Sequence, residues 1–237
     1  MIILIVLHIA AGACYALARR RTNFFLPAIF LHFAALAADM HWMPRFDVGI
    51  SASAFMLMTA LAATRKIRRE PSRAILLALA AAGMFAPLLF AADVPPPPLR
   101  ALPHILPAML AYSFSLLAML QFLDLWRAER DRRLLRETSA PPLLTLEAEC
   151  FRTLAVAFAL LSAALLSGFI VGGDPPAHKL LFAVLSWLTF GGLLAGRRLR
   201  GWRGRAARRW LAAGLLFFLL SYFGTHFVLQ VLLGRAS

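Results

Sequence analysis

Charge is scarce in this 237-residue chain. Asp, Glu, Lys and Arg together make up 15% of it, where a soluble globular domain carries about 25%. With 61% apolar residues and a mean hydropathy of +0.75, that shortage excludes a soluble domain, a disordered tail and a disulfide-stapled secreted module. Cysteine is scarcer still. Cys14 and Cys150 are the only two, in no C-x-x-C or C-x-x-C-H arrangement, which excludes a thioredoxin-like redox pair and a covalently attached c-type haem. Both read as small apolar packing residues. G-x-G-x-x-G, the P-loop, G-x-S-x-G, H-E-x-x-H and H-x-x-x-H are all absent. The signatures of nucleotide binding, serine hydrolysis and zinc proteolysis are therefore missing.

What the chain has instead is long apolar runs. A helical membrane span needs about 20 apolar residues, and eight runs qualify, at approximately 1–18, 24–41, 48–64, 74–92, 103–125, 151–172, 179–196 and 210–233. The expected fold is an all-α polytopic membrane helix bundle, one membrane domain over residues 1–237, in contact with the lipid bilayer. Met1 to Ala18 reads as a first span and not as a cleaved signal, because its basic cluster Arg19–Arg21 follows the apolar run. Proline separates the spans. Val94 to Pro98 carries four consecutive prolines, which suit a stiff polyproline II connector. Pro141-Pro142 and Pro175-Pro176 break two further connections, and Pro27, Pro87 and Pro107 are expected to kink helices. Gly168/Gly172 and Gly192/Gly196 form G-x-x-x-G spacings that favour close helix packing. No internal repeat is evident in the sequence.

The net charge of +14 and the pI of about 11.6 would suggest nucleic acid on a soluble protein. Here topology accounts for them. With both termini outside, 21 of the 25 basic residues fall in the inner connections, as the positive-inside rule requires. Seven of the 11 acids fall there too, so the whole excess sits on the inner face and no nucleic-acid partner is implied. Arg127–Glu137 mixes both signs and reads as a solvated helical extension of span five. Trp202 to Arg205 reads as an interfacial basic loop.

The histidines follow the opposite side. His41, His104 and His178 lie at outer helix ends, His226 in the outer third of span eight, and His8 and His32 near mid-membrane or outward of it. Neutral imidazole is a common ligand of haem iron, and an ionisable ring inside the membrane is a functional-site hypothesis by default. A flat apolar macrocycle with two propionates would suit an outer cleft with axial imidazoles and nearby cations. Arg100 precedes His104 by four residues and Lys179 directly follows His178. His104 and His178 are therefore candidate axial ligands, Arg100 and Lys179 candidate propionate partners, and His32, His226 and Trp187 further candidate contacts. Each also has a plainer reading: interfacial or loop residues for His104 and His178, a hydrogen-bonded interhelical residue for His32, helix packing for Trp187.

Four blocks then carry a resemblance. They are Leu102-Pro103-His104-Ile105 leading into Ala111-Tyr112-Ser113-Phe114; Pro141 to Glu147; His178-Lys179 with Phe182 and Ser186-Trp187; and Gly201 to Arg205 followed by Ser221-Tyr222-Phe223-Gly224. In these the chain resembles the YpjD/HemX-like branch of the CcsA/CcmC cytochrome c assembly family. The resemblance implies a bacterial inner-membrane protein that handles non-covalent haem b on its periplasmic face, with His104 at the position of a family haem ligand and without enzyme activity of its own. It also implies haem and other assembly or membrane proteins as partners. One family feature is missing: the tryptophan-rich segment ending in Trp-Asp is replaced by Val171-Gly172-Gly173-Asp174-Pro175-Pro176, so the resemblance implies haem binding and leaves its delivery to apocytochrome c open. The alternative is a small-solute or ion transporter, or a transport accessory subunit, with proline-interrupted helices and His32 lining a path.

Overall fold

Wherever the apolar runs fall on described residues they are helical. The computed structural model describes residues 2–64, 72–90, 94–134, 142–171 and 177–221, and among these the elements are eight α-helices and two short 3₁₀ turns, with no strand. The helices are α1 (Ile2–Ala18), α2 (Phe25–Trp42), α3 (Val48–Ala63), α4 (Ser72–Leu89), α5 (Leu102–Arg133), α6 (Leu143–Val171), α7 (Ala177–Arg200) and α8 (Gly204–Leu219). Five segments are long and apolar enough to cross a bilayer, namely those at 22–42, 72–89, 99–133, 143–170 and 177–200; α1 and α3 are shorter apolar helices. Phe30 and Phe169 are 70% and 72% exposed, and such outward aromatic surface fits lipid and not water. The protein is an all-α polytopic membrane helix bundle.

Helix ends follow local chemistry. Asp47 caps α3, its Oδ1 accepting from the Ile50 N–H at 2.8 Å. The prolines cost the helices little. Pro27 lies in the first turn of α2 and Pro107 in the second turn of α5, where few backbone donors are lost, and Pro87 lies two residues before the end of α4. The Pro87 carbonyl, in the last turn of α4, accepts from Arg45 Nη2 at 2.8 Å. Pro98, with φ −63° and ψ 150°, is in the polyproline II region. Pro141, Pro175 and Pro176 lie outside the described residues.

The neighbour pattern repeats. In the first half α1 packs on α2 and α4, and α3 on α2 and α4; in the second, α5 packs on α6 and α8, and α7 on α6 and α8. Contacts pair early with late residues throughout: His8 with Asp39 and Tyr15 with His32 between α1 and α2; Phe122 with Phe151 and His104 with Ala164 between α5 and α6. Neighbours are thus antiparallel, and the two four-helix halves run in the same sense. They form a parallel repeat, not an inverted one. The halves meet mainly through α3 and α5, where Ser113 Oγ donates to the Phe55 carbonyl at 3.3 Å and Phe55 meets Tyr112 edge to face.

Two ends result. One gathers the starts of α5 and α7 with the end of α8. The other gathers the arginines. There Glu147 on α6 holds Arg197 of α7 at 2.9 Å and Arg203 of the α7–α8 turn at 3.2 Å, and the Arg197 guanidinium lies 3.8 Å over the Phe151 ring.

Candidate functional site

At the first end the tetraproline connector, α5, α6, α7 and α8 enclose an open cavity of about 350 Å³, within the usual range for small-molecule sites. Its wall is mostly apolar, with Pro95, Pro97, Ile105, Met109 and Phe218 among the lining residues, and its polar groups come from His104, Lys179, Tyr112 and Ser221. The connector is pinned over it by the Phe46 N–H, which donates to the Val94 carbonyl at 2.8 Å.

His104 is the chemically defined member. Its Nδ1 lies 2.8 Å from the Ala164 carbonyl on α6. A carbonyl only accepts, so Nδ1 is the donor, and in the neutral ring Nε2 keeps its lone pair. This is how metal-ligating imidazoles are commonly oriented. The ring fits because Gly168 faces it: a Cβ there would stand 3.1 Å from Nδ1 and 3.2 Å from Cε1. Gly168, which the sequence suggests as a packing residue, is therefore the space in which the imidazole sits. Gly172 lies outside the described residues.

Tyr112 closes the floor. Its hydroxyl donates to the Phe218 carbonyl at 2.8 Å, lies 2.9 Å from Ser221 Oγ, and its ring stacks on Phe218 with centroids 3.7 Å apart. It thereby ties α5 to the end of α8. Tyr112→Phe is expected to lower stability by about 1 kcal/mol, read as a lower melting midpoint in detergent with the helix content unchanged.

The remaining candidates are distributed differently. Lys179 lines the cavity. His178, its neighbour, is exposed at the start of α7 and outside the lining. Arg100 is exposed on the 3₁₀ turn before α5, also outside the lining. Trp187 lies further along α7, where its Nε1 donates to Ser162 Oγ at 2.8 Å and its ring stacks on Phe158. His226 lies outside the described residues. His32 belongs to the other half. Its Nδ1 meets Tyr15 Oη at 3.0 Å and its Nε2 meets Ser53 Oγ at 2.9 Å, so both nitrogens are engaged in pinning α1, α2 and α3 together.

Sequence reasoning gave little weight to the pair beside it. His8 and Asp39 are both fully buried, with Nε2 3.1 Å from Oδ2. His8 Nδ1 donates to the Leu4 carbonyl at 2.7 Å. The contact is one of charge and distance: His8 Nε2 and both Asp39 carboxyl oxygens are buried without a hydrogen-bond partner. The available signal was spacing: His8 and Tyr15 are seven apart on α1, and His32 and Asp39 seven apart on α2, so each pair shares one helix face.

Comparison with known proteins agrees with this architecture. A family model described as "Cytochrome C assembly protein" matches residues 21–233. The chain is 30% identical over 243 residues to an "Uncharacterized 28.8 kDa protein in nifR3-like 5'region" of Azospirillum brasilense, covering 90% of this chain and 88% of that one. It is 26% identical over 136 residues to "Inner membrane protein YpjD" of Escherichia coli strain K12, an alignment that spans about half of each protein, 54% and 52%. No solved structure matches. A match over nearly the whole chain, on a polytopic bundle whose helices fall where the apolar runs lie, makes this a multi-pass inner-membrane protein belonging to the cytochrome c assembly family.

Proposed function

We propose that the protein binds haem non-covalently, as haem b, in the His104 cavity and holds it for cytochrome c assembly without a catalytic step of its own. The observation that carries this reading is the state of His104: Nδ1 is committed to the Ala164 carbonyl, and Nε2 is left with its lone pair on a ring that borders an apolar cavity. His104 would supply an axial nitrogen, and Lys179 a cation for a propionate. The apolar wall and the proline connector would shield the macrocycle from water. The bound haem supplies the redox-active iron, and the chain supplies its ligation and orientation. Among the described residues His104 is the cavity's single imidazole, so any second protein ligand would come from outside that lining, with His226 and His178 the candidates. The arginine-rich end faces the cytosol by the positive-inside rule, which puts the cavity at the periplasmic face, where other assembly or membrane proteins would meet it.

The test is the visible spectrum of the detergent-purified chain, stripped of haem and reconstituted. Wild type is expected to give a saturable Soret band with sharp α and β bands on reduction. His104→Ala, which removes the ligand itself and not an outer partner, is expected to lose at least about 100-fold in haem affinity, the upper end for outer partners, together with the low-spin spectrum. A Soret band that is indifferent to His104→Ala, in a variant that melts like wild type, would remove His104 from the site.

A further inference from the structure

At the opposite end of the bundle, the end of α5 and the start of α8 border a second cavity, of about 440 Å³. Its wall carries Arg130, Arg133, Arg203, Arg205 and Arg208 against a single carboxylate, Glu129. Trp126 organises two of these arginines, with the guanidinium carbons of Arg130 and Arg208 at 5.9 and 5.7 Å from its ring centre. Glu129 reaches Arg208 only at 3.7 Å, and Arg203 Nε turns towards Glu147 at 3.2 Å. Within the lining, five guanidinium groups therefore surround one carboxylate.

The same wall holds the start of α8. The helix opens at Gly204, whose φ of +59° suits glycine. The N-cap residue, Arg203, places no side-chain acceptor on the first-turn N–H groups, and that turn contains no acid. A helix start carries roughly half a positive charge, and proteins ordinarily place Asp or Glu there. Here the sequence places Arg203, Arg205 and Arg208 instead. Such a start repels its own side chains unless an anion joins it. Uncapped N–H groups and a ring of planar guanidinium forks are both matched to a compact oxyanion with several acceptor oxygens, and phosphate fits this better than a single carboxylate.

We propose that this pocket binds a phosphate group, carried either by an anionic phospholipid or by a soluble phosphorylated molecule. Basic pockets on the cytoplasmic side of helix bundles can hold lipid headgroups. This one has a defined wall, an aromatic support and a helix start within it. The full chain in a phosphate-free maltoside detergent provides the test, with its melting midpoint followed as phosphatidylglycerol, pyrophosphate or oleate is added. The companion variant is Arg133→Gln/Arg205→Gln, which changes two exposed side chains and is expected to melt like wild type before any addition. A saturable rise with phosphatidylglycerol, at least about 10-fold weaker in the variant, supports the proposal with lipid as the source. The same pattern with pyrophosphate supports it with a soluble source. An equal response to oleate, an equal response in the variant, or no saturable response to either phosphate compound would overturn it, because surface charge alone would then suffice.

Discussion

Replacing His8 by alanine is expected to destabilise the protein by about 3–5 kcal/mol, the cost of removing one partner from a buried charge pair. His8 and Asp39 are fully buried between α1 and α2 with 3.1 Å between Nε2 and Oδ2. The Leu4 carbonyl fixes the other imidazole nitrogen as a donor. Without His8 the carboxyl loses the imidazole beside it, and neither of its oxygens has a hydrogen-bond partner to fall back on. The double replacement His8→Leu/Asp39→Leu should recover most of the loss, since well-packed apolar residues often match or exceed a buried pair in stability. Equilibrium unfolding in detergent of His8→Leu, Asp39→Leu and the double provides the cycle, with His8→Ala measured beside it. A cost below about 1 kcal/mol for His8→Ala would mean that water or lipid headgroups already reach the pair. A double variant as unstable as the single would mean that packing, not charge, holds the two helices.

The helices were legible because hydrophobic runs of span length leave few other choices in a membrane. Their ends were less so. The run at 151–172 belongs to a helix that begins at Leu143, and the run at 210–233 to one that begins at Gly204. Leu, Ala, Glu and Arg all continue a helix readily, so hydropathy marks where lipid begins and not where the helix does. His104 could be read from its place at the start of a span. The pairing of His178 with Lys179 could not be tested in one dimension. Adjacent residues on a helix point about 100° apart, so the register that sets Lys179 on the cavity wall turns His178 to the outside. Likewise, nothing in either sequence segment says that the His8/Tyr15 face of α1 meets the His32/Asp39 face of α2. Two matched spacings become a ladder only once the helices are known to be antiparallel neighbours. The ladder also explains why His32 is committed to Tyr15 and Ser53: an ionisable ring in mid-bundle needs a partner on each nitrogen.

Gly168 gives the second large effect, and its sign is unusual. Glycine inside a helix is worth about 0.5–1 kcal/mol less than alanine, so Gly168→Ala and Gly168→Leu should leave α6 at least as helical as before. At the site they should do harm. An alanine Cβ would stand 3.1 Å from His104 Nδ1, so the ring must yield by a few tenths of an ångström while the bond to Ala164 holds it from the other side. Outer contacts of that kind are worth about 10-fold to 100-fold in metal affinity, and a loss near the lower figure is expected for alanine. Leucine leaves no room for the imidazole. The ring must leave the Ala164 carbonyl, the fixed tautomer is lost with it, and haem affinity should fall to the level of His104→Ala. Haem titration and thermal melting on the same samples separate the two effects. Binding lost from a protein that melts no earlier places the defect in the imidazole and not in the fold. Full haem affinity in Gly168→Leu would show that iron is held elsewhere and that the His104 ring only joins α5 to α6.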